Sequence, residues 1–237
     1  MQSTVTAIID DLSSVIFGKK QQIKLALTCL FSEGHLLIED LPGMGKTTLS
    51  HALAAVLGLS YQRIQFTSDL LPADILGTNV FNANEHTFTF HKGPIFSQVV
   101  LADEINRAGP KTQSALLEAM EEQQVTVDGT KYMLPNPFFV IATQNPLYQS
   151  GTYPLPESQL DRFLMRISLG FPPKEAEKQL ILNIKPRDYS QLPQRIDAKQ
   201  LQQIQTLINQ IVISSPVIDY IIELVTHTRQ SAAFAGS

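Results

Sequence analysis

A glycine-rich segment between an apolar run and a helical pattern constrains this chain most. The apolar run covers residues 35–38, the glycine-rich segment residues 39–48, and the helical pattern continues over residues 49–57. A turn of this kind that joins a strand to a helix and ends in Gly-Lys-Thr is typical of a phosphate-binding loop. The pattern therefore predicts a site for the phosphates of a nucleotide beside the first strand.

Each residue type in this segment has a chemical reason. Gly43 and Gly45 let backbone N–H groups curl around phosphate oxygens without a Cβ in the way, and the positive end of the next helix faces the anion. Lys46 can place a charge on the β- and γ-phosphates, and the Thr47 hydroxyl can bind Mg²⁺. The candidate nucleotide-binding residues of the loop are Pro42, Gly43, Met44, Gly45, Lys46, Thr47 and Thr48.

Asp40 departs from the general pattern, which has a glycine at this position. A carboxylate that faced the phosphates would repel them. We therefore expect the side chain of Asp40 to point away from the nucleotide, while residues 42–47 keep the motif intact.

Composition limits the classes of protein to consider. The chain has 237 residues, of which 43% are hydrophobic and 17% charged, so it can bury a core. Its net charge of −4 argues against a bulk nucleic-acid binder. Cys29 is the single cysteine, which excludes an internal disulfide and a cysteine-rich metal site. We find no signal peptide and no apolar run long enough to span a membrane, and we expect a cytoplasmic protein.

Apolar runs alternate with helical patterns over the first 170 residues. After a helix at residues 20–31, which begins beside the solvated pair Lys19 and Lys20, we expect strands at residues 35–39, 61–66, 99–103, 138–143 and 163–169, and helices at residues 46–57, 110–123 and 156–161. This order predicts an α/β fold with a parallel sheet covered on both faces. Alternating segments at residues 79–90 and 125–133, the second around Asp128 and Gly129, predict two inserted β-hairpins.

The pattern changes after residue 169. A hinge at residues 170–173 is followed by helical patterns at residues 174–184, 197–211 and 216–229, with Asp197 and Ser215 as expected N-caps. We therefore expect an α/β nucleotide-binding domain over residues 1–170 and a small all-α domain over residues 171–237.

Two acids end one of the buried strands. Asp103 should lie at the carboxyl edge of the sheet, where it can hold Mg²⁺, and Glu104 can polarise the water that attacks the γ-phosphate. A small-molecule kinase transfers phosphate to its substrate and needs no glutamate to activate water, so Glu104 argues against that class. The Asn-Lys-x-Asp motif of guanine-specific GTPases is absent from the sequence, which argues against that class as well. The alternative is a pair of solvated acids at a strand end.

Two further polar residues are candidates with open alternatives. Asn145 follows another buried strand and can touch the attacking water or the γ-phosphate, or simply begin a turn before Pro146. Arg162 can complete the site of a neighbouring subunit, or pair with Asp161 or Glu157 on the surface. Arg107 has the same two possibilities, a neighbour's nucleotide or a structural ion pair.

Together these motifs resemble the MoxR-type AAA+ ATPases. The resemblance is carried by residues 37–47, 67–77, 101–108, 142–146 and 151–163 and covers nearly the whole chain. It implies a P-loop AAA+ domain with a helical lid, assembled as a ring, commonly a hexamer. It also implies that Asn145 is the first sensor, that Arg162 is the arginine finger, that Phe17 and Gly18 lie over the adenine, and that the hairpins face the ring's pore.

The function implied by the resemblance is Mg²⁺-dependent ATP hydrolysis that drives chaperone-like remodelling of client proteins, or their maturation by cofactor insertion. A partner with a von Willebrand A-domain is expected, and a magnesium-chelatase-like subunit is a near relative. The lid of this family normally carries a second sensor arginine in a Ser-Pro-Arg motif, which this sequence lacks, so we expect an incomplete lid. The alternatives are a nucleic-acid motor, although the hairpin tips are not basic, and a nucleotide-gated scaffold with little turnover, which Glu104 disfavours.

Overall fold

The computed structural model describes residues 2–146, 151–182 and 188–230. The chain forms two compact units, residues 1–205 and residues 206–237. The first unit contains every strand that the structure describes. The domain boundary expected at residue 170 falls inside this unit and stays a prediction.

A parallel sheet forms the centre of the first unit. The strands in chain order are β1 (Leu36–Glu39), β2 (Tyr61–Gln65), β3 (Gly77–Asn82), β4 (Thr87–Lys92), β5 (Val99–Asp103), β6 (Gln124–Val127), β7 (Thr130–Met133), β8 (Phe139–Gln144) and β9 (Met165–Ile167). Five of them pair in the order β2-β5-β8-β1-β9, with every pair parallel. The α/β fold with a parallel sheet is thereby confirmed.

The described residues also form helices in both units. Their bounds are α1 (Gln2–Val15), α2 (Lys20–Phe31), α3 (Lys46–Val56), α4 (Pro72–Leu76), α5 (Pro110–Glu122), α6 (Glu157–Leu160), α7 (Lys174–Ile181), α8 (Ala198–Asn209) and α9 (Ser215–Gln230). Because β5 is buried along its whole length, the sheet is covered on both faces at its centre. No helix among the described residues is long and apolar enough to cross a membrane.

One face of the sheet packs against α5. Leu37, Val100 and Val140 from three adjacent strands form a buried cluster with Leu116 and Met120 of α5. The next residues along the strands point to the opposite face, which α2 and α3 cover. This packing fixes the strand ends that carry the polar residues of the candidate site.

The sequence patterns missed the first helix. Residues 1–11 look polar and mixed, yet α1 buries Ile8, Leu12 and Val15 and packs against α2 and α3. These three positions are spaced as on one face of a helix, so they form an apolar stripe whose burial stabilises α1. The average composition of the segment is polar and does not show this stripe.

Both predicted hairpins are present. β3 pairs with β4, and β6 pairs with β7 around a turn in which Asp128 and Gly129 have φ of 47° and 78°. The hairpins contact each other, since the rings of Phe90 and Tyr132 stack with centroids 3.9 Å apart. Nδ2 of Asn79 also donates a 2.7 Å hydrogen bond to Oδ2 of Asp128. Two segments that are far apart in the chain therefore form one projection.

The helices after residue 173 follow the predicted pattern with small differences. Oδ1 of Asp197 accepts a 2.8 Å hydrogen bond from the backbone N–H of Gln200, which confirms the expected N-cap of α8. The expected N-cap at Ser215 is wrong by one residue, because α9 begins at Ser215 and the carbonyl of Ser214 accepts its first hydrogen bonds. The helix expected at residues 174–184 ends at Ile181, and residues 183–187 lie outside the described part of the chain.

Candidate nucleotide site

The glycine-rich loop presents an open helix end. Gly43 and Gly45 have φ of +82° and +88°, a region that favours glycine. A Cβ added at either position would meet no atom within 4 Å, so the space beside the loop is free. Among the described residues no side chain caps the start of α3, which leaves its first N–H groups available to an anion.

Lys46 lies across this loop. Its ammonium donates hydrogen bonds to the backbone carbonyls of Asp40 at 2.7 Å and Leu41 at 3.2 Å. Burial lowers the pKa of Lys46 from its ordinary value of 10.5, while the negative charges of Asp103, Asp40 and Glu104 oppose this shift. The amine therefore sits where it can reach a phosphate, between the loop and the acids of the sheet edge.

The carboxylate of Asp40 is directed away from the loop, as expected. It accepts hydrogen bonds from the backbone N–H of Gly170 at 2.7 Å, from that of Leu41 at 3.0 Å and from the hydroxyl of Ser168 at 3.2 Å. Burial raises the pKa of Asp40, but these hydrogen bonds outweigh burial, and the pKa lies below its ordinary value of 3.8. The negative charge of Asp40, which would repel a phosphate, is instead stabilised by hydrogen bonds from Ser168 and Gly170, in the segment that follows β9.

Lys19 contradicts the expectation of a solvated helix start. The residue is only 6% exposed, and its ammonium donates hydrogen bonds to three successive backbone carbonyls. The distances are 2.5 Å to Leu169, 2.8 Å to Gly170 and 2.6 Å to Phe171. Burial lowers the pKa of Lys19, and the nearby charge of Asp40 opposes this. Lys19 and Asp40 thus hold residues 168–171 from two sides, a tertiary role that the local pattern did not reveal.

Asp103 is held on both of its oxygens. Oδ1 accepts a 2.6 Å hydrogen bond from the hydroxyl of Thr143, at the end of the neighbouring strand β8. Oδ2 accepts from Nη2 of Arg63 at 2.6 Å and from Nε at 3.1 Å. The carboxylate expected to hold Mg²⁺ therefore lies at the carboxyl edge of the sheet, paired with a cation of the same chain.

Glu104 adopts a left-handed backbone conformation with φ of 57°. Its N–H donates to Oγ1 of Thr143 at 2.9 Å. Its Oε2 accepts from Nε2 of Gln65 at 3.1 Å and from Nη1 of Arg107 at 2.9 Å. In this chain Arg107 therefore makes an ion pair within its own subunit, which was one of the two possibilities for it.

The loop and the two acids line one cavity of about 570 Å³. Its walls are Pro42, Gly43, Gly45, Lys46, Thr47, Thr48, Arg63, Gln65, Asp103, Glu104 and Arg107. A second cavity of about 360 Å³ shares Gly43, Gly45 and Thr48 and adds Met44 and Phe17. The first has cations and an amide that suit phosphates and two acids that suit a metal ion, and the second has mostly apolar side chains that suit a flat base.

Gly18 lies between Phe17 and Lys19, two residues that line the second cavity. Its φ of +72° favours glycine, and an added Cβ would collide with the ring of Pro173. The residues therefore fit a nucleotide, with Phe17 at the base and the loop at the phosphates.

The hydroxyl of Thr47 and the carboxylate of Asp103 are oxygen ligands that Mg²⁺ accepts together with phosphate oxygens and water. The described part of the chain has no separate cluster of three or more metal-binding side chains.

Asn145 and Arg162 lie outside the 570 Å³ cavity. Asn145 lines a neighbouring cavity of about 140 Å³ with Glu39, and its carbonyl accepts a 3.4 Å hydrogen bond from Nδ2 of Asn106. Arg162 forms an ion pair with Glu121 of α5, and not with either acid expected from the sequence. Glu121 is on α5, far from Arg162 in the chain, so the local sequence could not reveal this pair.

Three residues of the site were not identified from the sequence: Arg63, Gln65 and Thr143. β2 pairs with β5 so that Gln65 lies opposite Asp103. A signal was present, because the strand predicted at residues 61–66, observed as Tyr61–Gln65, has polar residues where a buried parallel strand would have apolar ones.

The comparisons with known proteins agree with this geometry. A model of the ATPase family associated with various cellular activities (AAA) matches residues 35–165, from the start of β1 into β9. The protein YeaC of Bacillus subtilis, itself uncharacterised, is 45% identical over 94% of this chain and 70% of its own length. The chaperone MoxR1 of Mycobacterium tuberculosis is 40% identical over 96% of this chain and 60% of its own length. This chain is an AAA+ ATPase of the MoxR type.

A solved structure extends the similarity to three dimensions. The MoxR-type ATPase matches the crystal structure of a protein assigned as an ATPase from Cytophaga hutchinsonii with a TM-score of 0.84 and 43% identity. The match covers 96% of this chain and 69% of the other. Against these three relatives the ATPase spans 60% to 70% of their lengths.

Proposed function

We propose that this MoxR-type ATPase binds Mg²⁺-ATP at the glycine-rich loop and hydrolyses it, as one subunit of a ring. The observation that carries the proposal is the 570 Å³ cavity, in which Lys46, Thr47, Asp103 and Glu104 meet. A bound Mg²⁺ would supply charge neutralisation at the phosphates, with Thr47 and Asp103 as its protein ligands.

The chain's own groups have distinct tasks in this proposal. The N–H groups at the start of α3 and the ammonium of Lys46 hold the phosphates. Glu104 polarises a water molecule. Its carboxylate accepts a hydrogen bond from Nε2 of Gln65 and its backbone N–H donates one to the hydroxyl of Thr143, and these two contacts hold Glu104 in position for that task. Phe17 and Met44 cover the base from the 360 Å³ cavity.

The proposed roles of Asn145 and Arg162 depend on events beyond the isolated chain. Asn145 is two residues after Thr143, directly beyond the end of β8, and we propose that it senses the occupant of the phosphate cavity. Arg162 lies outside the phosphate cavity of its own chain, as a residue that acts in trans must. We propose a ring, commonly a hexamer in this family, in which Arg162 reaches the next subunit's nucleotide.

The proposed client is a protein. On the β3–β4 hairpin Phe81 and Phe88 are 51% and 71% exposed, and residues 79–90 contain no lysine or arginine. Apolar exposed tips without basic charge favour a polypeptide over a nucleic-acid backbone. The relative from M. tuberculosis is named a chaperone. We propose that the ring remodels or matures client proteins with a von Willebrand A-domain partner, and that it does so in the cytoplasm.

The test of this proposal is Glu104→Gln. The variant should bind ATP as the wild type does and lose nearly all phosphate release, because the ligands of the phosphates remain and the water loses its base. Glu175→Gln, which changes an exposed glutamate of α7, is the matched control and should keep wild-type turnover. Near-normal hydrolysis by Glu104→Gln would remove Glu104 from the proposed mechanism.

The same variant can identify the client. A ring that holds ATP without hydrolysis should retain its client, so proteins that co-purify with Glu104→Gln in ATP and leave in ADP are candidates. DNA that leaves with added salt would instead support the nucleic-acid motor. Wild-type protein with no turnover, alone or with partner, would support the nucleotide-gated scaffold.

A further inference from the structure

The ion pair between Arg63 and Asp103 lies where the proposed function requires a metal ion. Both residues line the 570 Å³ cavity together with Lys46 and Thr47. Arg63 is on β2 and Asp103 is on β5, and no sequence motif of this chain links them. The pair is formed by two hydrogen bonds to the same oxygen, Oδ2 of Asp103.

The two oxygens of Asp103 face different surroundings. Oδ1 is bonded to the hydroxyl of Thr143, a residue with no exposure, so this oxygen points into the sheet. Oδ2 is bonded to Arg63, whose side chain is 46% exposed. Oδ2 is therefore the oxygen on the cavity side, and its two hydrogen bonds from Arg63 use the lone pairs that a cation or a metal-bound water would need.

Arg63 has a second partner that can keep it in the cavity after it leaves Asp103. Its Nη2 donates a 2.7 Å hydrogen bond to Oε1 of Gln65, two residues along the same strand face. The side chain is anchored on one side by an exposed amide and is otherwise open to solvent. A modest rotation can thus separate the guanidinium from Oδ2 without breaking the packing of the core.

We propose that Arg63 is a competitor of Mg²⁺ for Asp103. This inference rests on the proposed function, because it assumes that Mg²⁺-nucleotide binds in the cavity. Without metal the guanidinium neutralises and orients Asp103. Guanidinium and Mg²⁺ repel each other and need the same oxygen, so binding of the metal displaces Arg63 from Asp103. Arg63 thereby raises the Mg²⁺ concentration at which nucleotide binding becomes tight.

The quantity to measure is the coupling between metal and nucleotide. The affinity for ADP is determined by calorimetry in EDTA and again in excess Mg²⁺, and the ratio of the two dissociation constants is the coupling factor. Arg63→Gln removes the competing charge and keeps a polar side chain. We expect its coupling factor to exceed that of the wild type by about two- to fivefold, the upper part of the range for an exposed ion pair.

Arg195→Gln is the matched control. Arg195 donates a 2.6 Å hydrogen bond from Nε to Oδ2 of Asp11, and the side-chain exposures of that pair, 39% and 12%, resemble the 46% and 11% of Arg63 and Asp103. It lies outside the nucleotide cavities, so its removal should leave the coupling factor unchanged.

Two results would overturn the inference. If Arg63→Gln weakens ADP binding equally with and without Mg²⁺, Arg63 is a phosphate ligand and not a competitor. If the coupling factor falls or stays the same, displacement does not occur. Wild-type protein that binds no nucleotide even with Mg²⁺ would overturn the proposed function itself, and this inference with it.

Arg63→Lys keeps the test decisive if Arg63→Gln does not fold. Lysine retains the charge but offers a strongly hydrated ammonium in place of the planar fork that makes both hydrogen bonds. Its coupling factor should rise in the same direction by a smaller amount. A coupling factor below that of the wild type would contradict the competition. Circular dichroism and thermal unfolding confirm that each variant is folded before its binding is measured.

Discussion

The hydroxyl of Thr143 donates a 2.6 Å hydrogen bond to Oδ1 of Asp103 on the adjacent strand. The same oxygen of Thr143 accepts a 2.9 Å hydrogen bond from the N–H of Glu104. One buried hydroxyl therefore orients the carboxylate of Asp103, the proposed metal ligand, by donation and holds the backbone of Glu104 by acceptance. This link joins the ends of β5 and β8 where the chemistry is proposed to occur.

Removal of this hydroxyl should affect both stability and turnover. Thr143→Val keeps the shape but leaves the partly buried N–H of Glu104 without its acceptor, and we expect a loss of about 1–3 kcal/mol of unfolding free energy. ATP hydrolysis should fall more than ATP affinity, because the orientation of Asp103 and Glu104 is lost. Urea unfolding and phosphate release measure the two effects. Thr143→Ser retains the hydroxyl and should preserve most of the stability and most of the turnover. If Thr143→Val were as stable and as active as Thr143→Ser, the proposed role of the hydroxyl would be contradicted.

His35 should make stability depend on pH. Nδ1 accepts a 3.1 Å hydrogen bond from the N–H of Val140, Nε2 lies 3.4 Å from the carbonyl of Met120, and burial lowers the pKa of His35 to about 4. The unfolded state binds this proton near pH 6.5, so the contribution is complete above pH 6.5 and is lost as pH falls toward 4. The total is about 3 kcal/mol by linkage.

The measurement for His35 is the free energy of unfolding at several pH values. His35→Asn removes the titrating ring, so the difference between wild type and variant should shrink as pH falls from 6.5 to 4. His91→Asn removes an exposed imidazole from the β3–β4 hairpin and controls for the substitution itself. A difference that is constant over this pH window would show that His35 does not titrate as proposed.

Gly18→Ala should loosen the base-binding side of the site. The added Cβ collides with the ring of Pro173, and the residue must also hold φ of +72°, so we expect weaker ATP binding and a loss of about 1–3 kcal/mol of stability. Gly129→Ala is the matched control, because its φ is +78° but an added Cβ meets nothing. It should lose only the cost of the conformation, about 1 kcal/mol, and keep its ATP affinity. Equal behaviour of the two variants would argue against the contact with Pro173.

Arg162 should act on the neighbouring subunit. Arg162→Ala should bind ATP almost normally and hydrolyse it poorly, by a factor of about 10³ or more if it is an arginine finger. Mixed with Glu104→Gln under conditions of subunit exchange, it should regain activity at interfaces that pair an intact Glu104 with an intact Arg162. Arg166→Ala, which removes an exposed arginine paired with Glu39, should keep wild-type turnover. Full turnover by a monomer, independent of concentration, would exclude action in trans.

Short sequence patterns predicted those parts of the structure that are determined by residues close together in the chain. The loop at Gly43 and Gly45, the turn at Asp128 and the strand that ends at Asp103 all follow from patterns within about ten residues. Each was expected from the sequence, and each is present. The roles of Asp103, Asn145 and Arg162 in catalysis stay predictions, since they concern a reaction and not a position.

Contacts that require the register between strands were beyond the sequence. Arg63 and Thr143 meet Asp103 because β2, β5 and β8 align in a particular register, and each lies 40 residues from it in the chain. Lys19 reaches the carbonyls of residues 169–171 across some 150 residues. Such pairs follow from the packing of the sheet, and no short-range periodicity contains that information.

The stack of Phe90 on Tyr132 has a mechanical consequence. The β3–β4 hairpin precedes β5 in the chain, and the β6–β7 hairpin precedes β8, so each hairpin is connected to one of the two strands that end at the proposed phosphate site. The stacked rings and the hydrogen bond between Asn79 and Asp128 join the two hairpins. A displacement of either strand would therefore move both hairpins together. Each turnover in a subunit would then deliver one stroke and not two independent movements.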